Sequence, residues 1–261
     1  MIPERLRCQG ALGEENKMES AAMKILGLDS SGLVASVAIV DGEELIAEYT
    51  INYKKTHSQT LLPMLEELRE MTELDMSTLD AVAIASGPGS FTGLRIGSAT
   101  AKGLGLALNK PLVEVPTLEG LAWNLWGTDR IVCPLMDARR EQVYTAAYAF
   151  LPEGEGFRLH TLIEQNPMDI REILKMLEEL GRPVTFLGDG VPVYQRVIRE
   201  QKGLEYAFAP AGSNRQRAAS IAALGAVYFA QGRRVSAADH RPEYLRRSQA
   251  EREAADRQEM A

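Results

Sequence analysis

The chain has few residues of the types that build metal centres or disulfide frameworks. Two cysteines and three histidines occur in 261 residues. Cys8 and Cys133 form no C-x-x-C motif and offer no disulfide framework. The histidines are far apart in the sequence and no H-E-x-x-H motif is present, which excludes the usual zinc-peptidase helix.

Long apolar runs are missing as well. No stretch reaches the roughly 18–20 apolar residues that a membrane-spanning helix needs. Residues 1–22 are polar, include four glutamates and lack the apolar core of a secretion signal. We therefore predict a cytoplasmic protein without membrane contact, in which residues 1–22 form a disordered extension. An upstream start and a targeting peptide are the alternatives for this segment.

The sequence has no surplus of basic residues. Its formal net charge is −7, which argues against a broad nucleic-acid-binding face, because such faces are basic. The remaining composition, 45% hydrophobic and 25% charged residues, is that of an ordinary globular protein with one large domain or two medium ones.

Hydrophobic periodicity predicts two consecutive α/β halves of similar design. Each half begins with three strands, of which the first ends in an aspartate, Asp29 or Asp137, and continues with helices that alternate with strands. We predict an N-terminal lobe at 23–127, a C-terminal lobe at 128–248 and a polar tail at 249–261. The predicted strands are 24–28, 34–40, 44–52, 80–85, 111–115, 131–136, 142–150, 157–164 and 183–187. The predicted helices are 58–71, 94–108, 117–126, 168–180, 193–201 and 215–231.

A glycine-rich segment at 86–97, SGPGSFTGLRIG, is the most informative stretch of the chain. It joins a predicted strand to a predicted helix, an arrangement in which backbone N–H groups and the positive helix end can hold an anion. Gly87, Gly89 and Gly93 do not have the dinucleotide-binding spacing, and no G-x-x-x-x-G-K-[ST] motif is present. A tight strand-to-helix turn is therefore the alternative interpretation.

The two strand–aspartate turns resemble those of the actin, Hsp70 and sugar-kinase (ASKHA) superfamily, and four segments resemble the TsaB family, also called YeaZ. These segments are 25–31 (ILGLDSS), 57–63 (HSQTLLP), 86–97 and 244–250 (YLRRSQA). The resemblance implies an α/β fold of two tandem ASKHA lobes, which are RNase H-like, with mixed sheets flanked by helices.

The resemblance also implies a function. It is that of a non-catalytic subunit required for threonylcarbamoyl transfer from threonylcarbamoyl-AMP to N6 of the adenosine beside the anticodon of tRNA. The implied partners are a TsaD-like catalytic subunit and a TsaE-like ATPase, with a homodimer when the chain is alone and tRNA contacted indirectly. ATP and a metal are expected in the partner subunits, and no cofactor is expected in this chain.

The resemblance explains one further absence. TsaD-like subunits hold a metal through a His-x-x-x-His helix, which corresponds here to the segment 117–121 (TLEGL). Thr117 and Leu121 stand at the two ligand positions, and threonine is a poor ligand while leucine offers no ligand atom. The resemblance therefore implies a protein that kept the fold and lost the catalysis.

The superfamily places its aspartate turns beside a metal-bound nucleotide, so by resemblance Asp29, Ser30, Ser31 and Asp137 form a vestigial nucleotide site. The two serines stand where phosphate loops favour glycine, and we interpret the aspartates as turn caps. His57 precedes a helix and is interpreted as structural. The competing hypothesis is a small ATPase or kinase that uses Asp29 and Asp137 with a magnesium nucleotide. A peptidase has no supporting motif.

Small residues recur along the predicted helix 94–108. A glycine in a helix interior costs about 1 kcal/mol relative to alanine, so a stripe of them indicates close packing. In the resembled family this helix and the helix 58–71 form the subunit interface, and we predict the same here. Packing within the chain, on its own sheet or on the helix 58–71, is the alternative. The predicted interface residues are Leu61, Leu65, Arg95, Gly97, Ser98, Ala101 and Gly105.

Overall fold

The computed structural model describes residues 23–53, 57–139 and 141–245. The strands are β1 Lys24–Asp29, β2 Val34–Asp41, β3 Glu44–Asn52, β4 Ala81–Gly87, β5 Leu112–Pro116, β6 Ile131–Asp137, β7 Gln142–Glu153, β8 Gly156–Asp169, β9 Val184–Leu187 and β10 Tyr206–Phe208. The helices are α1 His57–Met71, α2 Phe91–Leu108, α3 Thr117–Trp123, α4 Ile170–Glu179, α5 Gly190–Glu200 and α6 Ala218–Ala230, with a short 3-10 helix at Met76–Thr78.

The first sheet has the strand order β3-β2-β1-β4-β5. Strands β1, β2 and β3 form an antiparallel meander, and β4 and β5 continue the sheet parallel to β1. Gly42 makes the tight turn between β2 and β3 with a φ of 59°, a backbone conformation that glycine adopts without strain. This arrangement agrees with the strands predicted for the first half of the chain.

The second sheet repeats that topology with the order β10-β9-β6-β7-β8. Here β6, β7 and β8 form the antiparallel meander, and β9 and β10 add parallel strands on the other side of β6. In each half a helix follows the third, fourth and fifth strands. The prediction of two tandem ASKHA lobes is therefore confirmed. The short strand β10 was not predicted.

The last helix of each predicted lobe contacts the sheet of the other lobe. Helix α3 packs against the second sheet, where Leu118 and Leu121 join Val132 and Tyr148 in one apolar cluster. Helix α6 packs against the first sheet, although the predicted C-terminal lobe, 128–248, contains it. The apolar side chains that join α6 to the first sheet include Ile25, Ala83, Val115, Ile221, Ala222 and Leu224.

Polar contacts at the start of α6 hold this helix on the first sheet. Ser36 on β2 accepts a hydrogen bond from the Ala218 backbone N–H at 2.8 Å, and Glu48 on β3 accepts one from the Ala219 N–H at 3.1 Å. Glu48 also accepts a bond from Arg217 Nε at 3.0 Å. These side chains occupy N–H groups that the first turn of a helix leaves without a partner. The C-terminal half of the chain is thus tied to the first sheet.

The outer faces of the two sheets carry the remaining helices. Helices α1 and α2 cover the first sheet, with Leu61, Leu65 and Ala101 in a shared core, and α4 and α5 cover the second. None of the helices within the described ranges is long and apolar enough to cross a membrane.

Candidate functional site

A cleft of about 730 Å³ lies between the two lobes. The turn after β1, the glycine-rich loop before α2 and the turn after β6 line it, together with the chain at Glu243, Tyr244 and Leu245. Both predicted aspartate turns therefore reach the same region, as the resemblance implied. The side chains that line the cleft determine what it can hold.

The first aspartate is buried and does not line the cleft. Asp29 is 1% exposed, and its Oδ1 accepts hydrogen bonds from the Ser31 backbone N–H at 2.8 Å and from Ser31 Oγ at 2.7 Å. Burial raises the pKa of Asp29 to about 6, against the lowering effect of the two bonds from Ser31. A carboxylate that is buried and bonded to its own turn acts as a turn cap, which is how the sequence was interpreted.

The glycine-rich loop packs directly on this first turn. A Cβ added to Gly93 would lie 2.1 Å from the Ser30 carbonyl oxygen, and one added to Gly89 would lie 2.4 Å from the Ser31 carbonyl oxygen. Ser30 Oγ donates to the Gly93 carbonyl at 2.9 Å, and the Ser90 N–H donates to the Ser31 carbonyl at 2.6 Å. These contacts explain the glycines without an anion.

The N-terminus of α2 is capped from within the chain. Ser90 is the N-cap, and its Oγ accepts from the Gly93 N–H at 3.3 Å while its carbonyl accepts from the Leu94 N–H at 2.8 Å. Of the two interpretations of the segment 86–97, the contacts support the tight strand-to-helix turn.

The second aspartate does line the cleft. Asp137 Oδ1 accepts hydrogen bonds from the Arg139 N–H at 2.9 Å and from the Tyr194 hydroxyl at 3.3 Å. The Asp137 N–H donates to Asp189 Oδ1 at 3.2 Å. Burial raises the pKa of Asp189, which also lines the cleft. Asp189, which was not among the predicted site residues, thus lies beside Asp137 at the second turn.

The structure therefore places only two of the four predicted nucleotide-site residues at the cleft. Ser31 and Asp137 line the cleft, whereas Asp29 and Ser30 lie beneath its wall. Sequence reasoning missed Asp189, although the segment Gly188-Asp189-Gly190 ends a predicted strand as Asp29 and Asp137 do.

His57 lines the cleft and contacts the turn after β1. Its Nε2 lies 2.8 Å from the Gly32 carbonyl oxygen, so this nitrogen carries the proton and fixes the turn between β1 and β2. The contact supports the structural interpretation of His57.

Helix α3 corresponds to the metal-binding helix of TsaD-like subunits, and here its side chains at the ligand positions are part of the core. Thr117 is fully buried, and its hydroxyl accepts from the Gly87 N–H at 3.2 Å. Leu121 is 1% exposed in the core of the second lobe. Glu119 accepts a hydrogen bond from the Tyr228 hydroxyl on α6, and burial raises the pKa of this carboxyl group. Across the described residues, no group of three or more His, Cys, Asp or Glu side chains could hold a metal ion.

The stripe of small residues on α2 faces the chain's own core. Ala101 is fully buried. A Cβ added to Gly97 would lie 2.4 Å from Ser30 Oγ, and one added to Gly105 would lie 2.8 Å from Ala237 Cβ. The small residues let α2 approach the first turn and the chain after α6 closely, which corrects the prediction that this stripe itself contacts a partner.

The other predicted interface residues divide in the same way. Leu61, Leu65 and Ser98 are buried in the monomer, and Arg95 is exposed. The broader prediction, that α1 and α2 together form a subunit interface, remains a prediction that concerns their outward faces.

The outward face of α2 has its own pattern. The helical period places Arg95, Ala99, Gly103 and Leu106 on one side, and all four are exposed. Leu106 is 64% exposed, and a Cβ added to Gly103 would meet nothing within 4 Å. Nothing in the described parts of the chain requires a glycine at this position.

Comparison with known proteins identifies the family. Residues 44–254 match the family model described as "TsaD: tRNA N6-adenosine threonylcarbamoyltransferase". The chain is 34% identical to the tRNA threonylcarbamoyladenosine biosynthesis protein TsaB of Bacillus subtilis, over 88% of this chain and 96% of the relative. It is 29% identical to TsaB of Escherichia coli, over 86% of this chain and 95% of the relative.

A solved structure agrees with these relatives. YeaZ from Pseudomonas aeruginosa superposes with a TM-score of 0.69 at 26% identity, over 85% of this chain and 100% of that protein. Sequence, topology and the replaced ligand positions on α3 agree with one another. The chain belongs to the TsaD-like protein family and, within it, to the TsaB (YeaZ) proteins.

Proposed function

We propose that this chain is the non-catalytic subunit required for threonylcarbamoyl transfer from threonylcarbamoyl-AMP to N6 of the adenosine beside the anticodon of tRNA. It acts by dimerising with a TsaD-like catalytic subunit and stabilising that subunit's active conformation, a population shift by differential binding. The observation that carries the proposal concerns α3. The helix is present, but the two positions that correspond to metal ligands in TsaD-like subunits hold Thr117 and Leu121, which are buried core residues. The names of the TsaB relatives support the same pathway.

The chemistry of the transfer belongs to the partners in this proposal. The acyl transfer needs a metal and a positioned adenylate, and the catalytic subunit supplies the metal site. A TsaE-like ATPase completes the set in the cytoplasm and binds ATP, while tRNA is reached through the complex and this chain binds no cofactor. In the absence of the catalytic subunit the same surface joins two copies of this chain.

The outward faces of α1 and α2 are the proposed interface. Leu62 on α1 is 54% exposed and Leu106 on α2 is 64% exposed. Gly103 costs about 1 kcal/mol of helix stability relative to alanine, and its open surroundings leave room for a partner helix to approach closely.

The competing function, a small ATPase or kinase, has less support. A magnesium nucleotide needs an ionised, accessible carboxylate, whereas Asp29 is buried with its Oδ1 bonded to Ser31. Asp137 and Asp189 line the cleft, but the serine turn opposite them lacks the glycines of a phosphate-binding loop.

Reconstitution from purified components tests the proposal. Threonylcarbamoyl transfer to tRNA is measured with the TsaD-like subunit and the TsaE-like ATPase of the same genome, with and without this chain, and with its Leu106→Glu variant. We expect transfer with the wild-type chain, little without it and little with the variant. Equal transfer with and without the chain would contradict the proposal.

A further inference from the structure

After α6 the chain runs back across the first lobe as a strap, Val235–Leu245. Val235 exchanges two backbone hydrogen bonds with Leu112 of β5, each 2.9 Å long. Lys102 on α2 donates from Nζ to the carbonyl oxygens of Ala238 and His240 at 3.0 and 3.1 Å. The strap therefore follows the side of α2, between the helix and the last strand of the first sheet.

Further contacts show that the position of the strap is built into the fold. His240 is 1% exposed, and its Nδ1 lies 2.6 Å from Glu114 Oε1. The Glu243 N–H donates to the Ser86 carbonyl at 2.7 Å. A Cβ added to Gly87 would lie 2.2 Å from the Glu243 carbonyl oxygen, so the strap passes where only a glycine leaves room.

The end of the strap builds an ordered aromatic and cationic cluster with the start of α2. The rings of Tyr244 and Phe91 have centroids 4.7 Å apart. The Arg95 guanidinium lies over the Phe91 ring, 3.9 Å from its centroid, and Arg95 Nε donates to the Tyr244 hydroxyl at 3.3 Å. Tyr244 is nevertheless 40% exposed.

Such a cluster has the properties of an interface anchor. Tyrosine and arginine dominate the residues that carry most of the binding energy in protein interfaces. Side chains already held in place lose less conformational entropy when a partner binds. Arg95 also begins the outward stripe of α2 that continues through Gly103 to Leu106, so the cluster is continuous with the proposed interface.

We propose that Tyr244, with Arg95 and Phe91, anchors the catalytic partner, so that the C-terminal strap forms one edge of the partner-binding surface. This inference rests on the proposed function, because the occupant is the TsaD-like subunit. The partner surface that fits the cluster has an apolar pocket for the tyrosine ring and a carboxylate opposite Arg95. The continuity of the cluster with the outward stripe of α2 favours the catalytic subunit over RNA as the occupant.

Calorimetric titration of the full chain with the TsaD-like subunit tests the inference. We expect Tyr244→Ala to raise the Kd at least tenfold and Arg95→Glu to raise it at least as much. Tyr244→Phe keeps the ring and should change the Kd less than threefold. The matched control is Tyr53→Ala, since Tyr53 is 68% exposed at the end of β3, and its Kd should equal that of the wild type.

The outcomes separate this inference from the function on which it rests. If Leu106→Glu abolishes binding while Tyr244→Ala and Arg95→Glu bind normally, the strap is no part of the interface and the proposed function stands. If the wild-type chain does not bind the catalytic subunit, the proposed function itself fails. If Tyr244→Ala weakens only the binding of tRNA in a gel-shift assay, the cluster is an RNA contact and the inference is overturned. Melting temperatures of all variants verify that they are folded, and Tyr244→Leu, which keeps an apolar contact with Phe91 but lacks the aromatic ring, decides the matter should Tyr244→Ala be unstable.

Discussion

Gly93 at the start of α2 and Ser30 in the first aspartate turn are in backbone contact. A Cβ on Gly93 would lie 2.1 Å from the Ser30 carbonyl oxygen, and Ser30 Oγ donates to the Gly93 carbonyl at 2.9 Å. The glycine-rich loop thus packs on the first aspartate turn. By resemblance to the ASKHA superfamily, this is a turn expected beside a nucleotide. The contact gives the loop a structural purpose that its sequence left open.

This contact makes Gly93 intolerant of any side chain. We expect Gly93→Ala to destabilise the monomer by about 1–3 kcal/mol, because the loop and the turn must separate. The matched control lies on the same helix: Gly103→Ala meets nothing within 4 Å and should stabilise the fold by up to about 1 kcal/mol. Denaturant unfolding measures both. A Gly93→Ala variant as stable as the wild type would show that the contact is looser than described.

The pKa of Asp29 predicts a pH dependence of stability. Burial raises it from 3.8 to about 6, so the folded chain binds a proton that the unfolded chain releases between these values. The stability contributed by Asp29 is therefore fully present below about pH 4 and lost as the pH rises through 6, by roughly 3 kcal/mol. Unfolding free energies at several pH values check this.

The variant Asp29→Asn isolates this effect, because asparagine has no carboxyl group to ionise. Relative to the variant, the wild type should become less stable as the pH rises from 4 to 6. A difference between the two proteins that is constant over this range would show that Asp29 is already ionised in the folded chain at pH 4.

The orientation of α2 predicts the effect of enlarging Ala101. Because Ala101 is fully buried against the first sheet, Ala101→Leu should lower the melting temperature through overpacking, at a cost of about 1–3 kcal/mol. The control is Ala107→Leu, an exposed position on the same helix, which should melt as the wild type does. If Ala101→Leu melts normally and only loses partner binding, the stripe faces a partner instead of the core.

Much of the fold could be predicted because its signals are local. Alternating and helical periodicity predicted nine of the ten strands and all six α-helices that the structure describes; the missed strand, Tyr206–Phe208, is too short to show a period. The packing of α3 and α6 against the sheet of the other lobe could not be predicted from the chain order. It depends on contacts such as those of Ile221 with the first sheet, which no local pattern encodes.

The site was predicted less completely for the same reason. The small-residue stripe of α2 indicated a close contact, but its sequence is equally suited to a partner helix or to the chain's own sheet. Asp189 and Tyr244 reach the cleft from elements far along the chain. For Asp189 the glycines on either side were an available signal. The pairing of Tyr244 with Phe91 follows only from the path of the strap.

The central claim is that the chain activates a catalytic partner by binding it, and one titration tests this most directly. The initial rate of threonylcarbamoyl transfer to tRNA is measured at a fixed, low concentration of the TsaD-like subunit, with the TsaE-like ATPase present, as this chain is added. We expect no transfer by the chain without the catalytic subunit, and a rate that rises to saturation with a midpoint equal to the Kd from calorimetry. A rate independent of the chain, or transfer that persists without the catalytic subunit, would contradict the account.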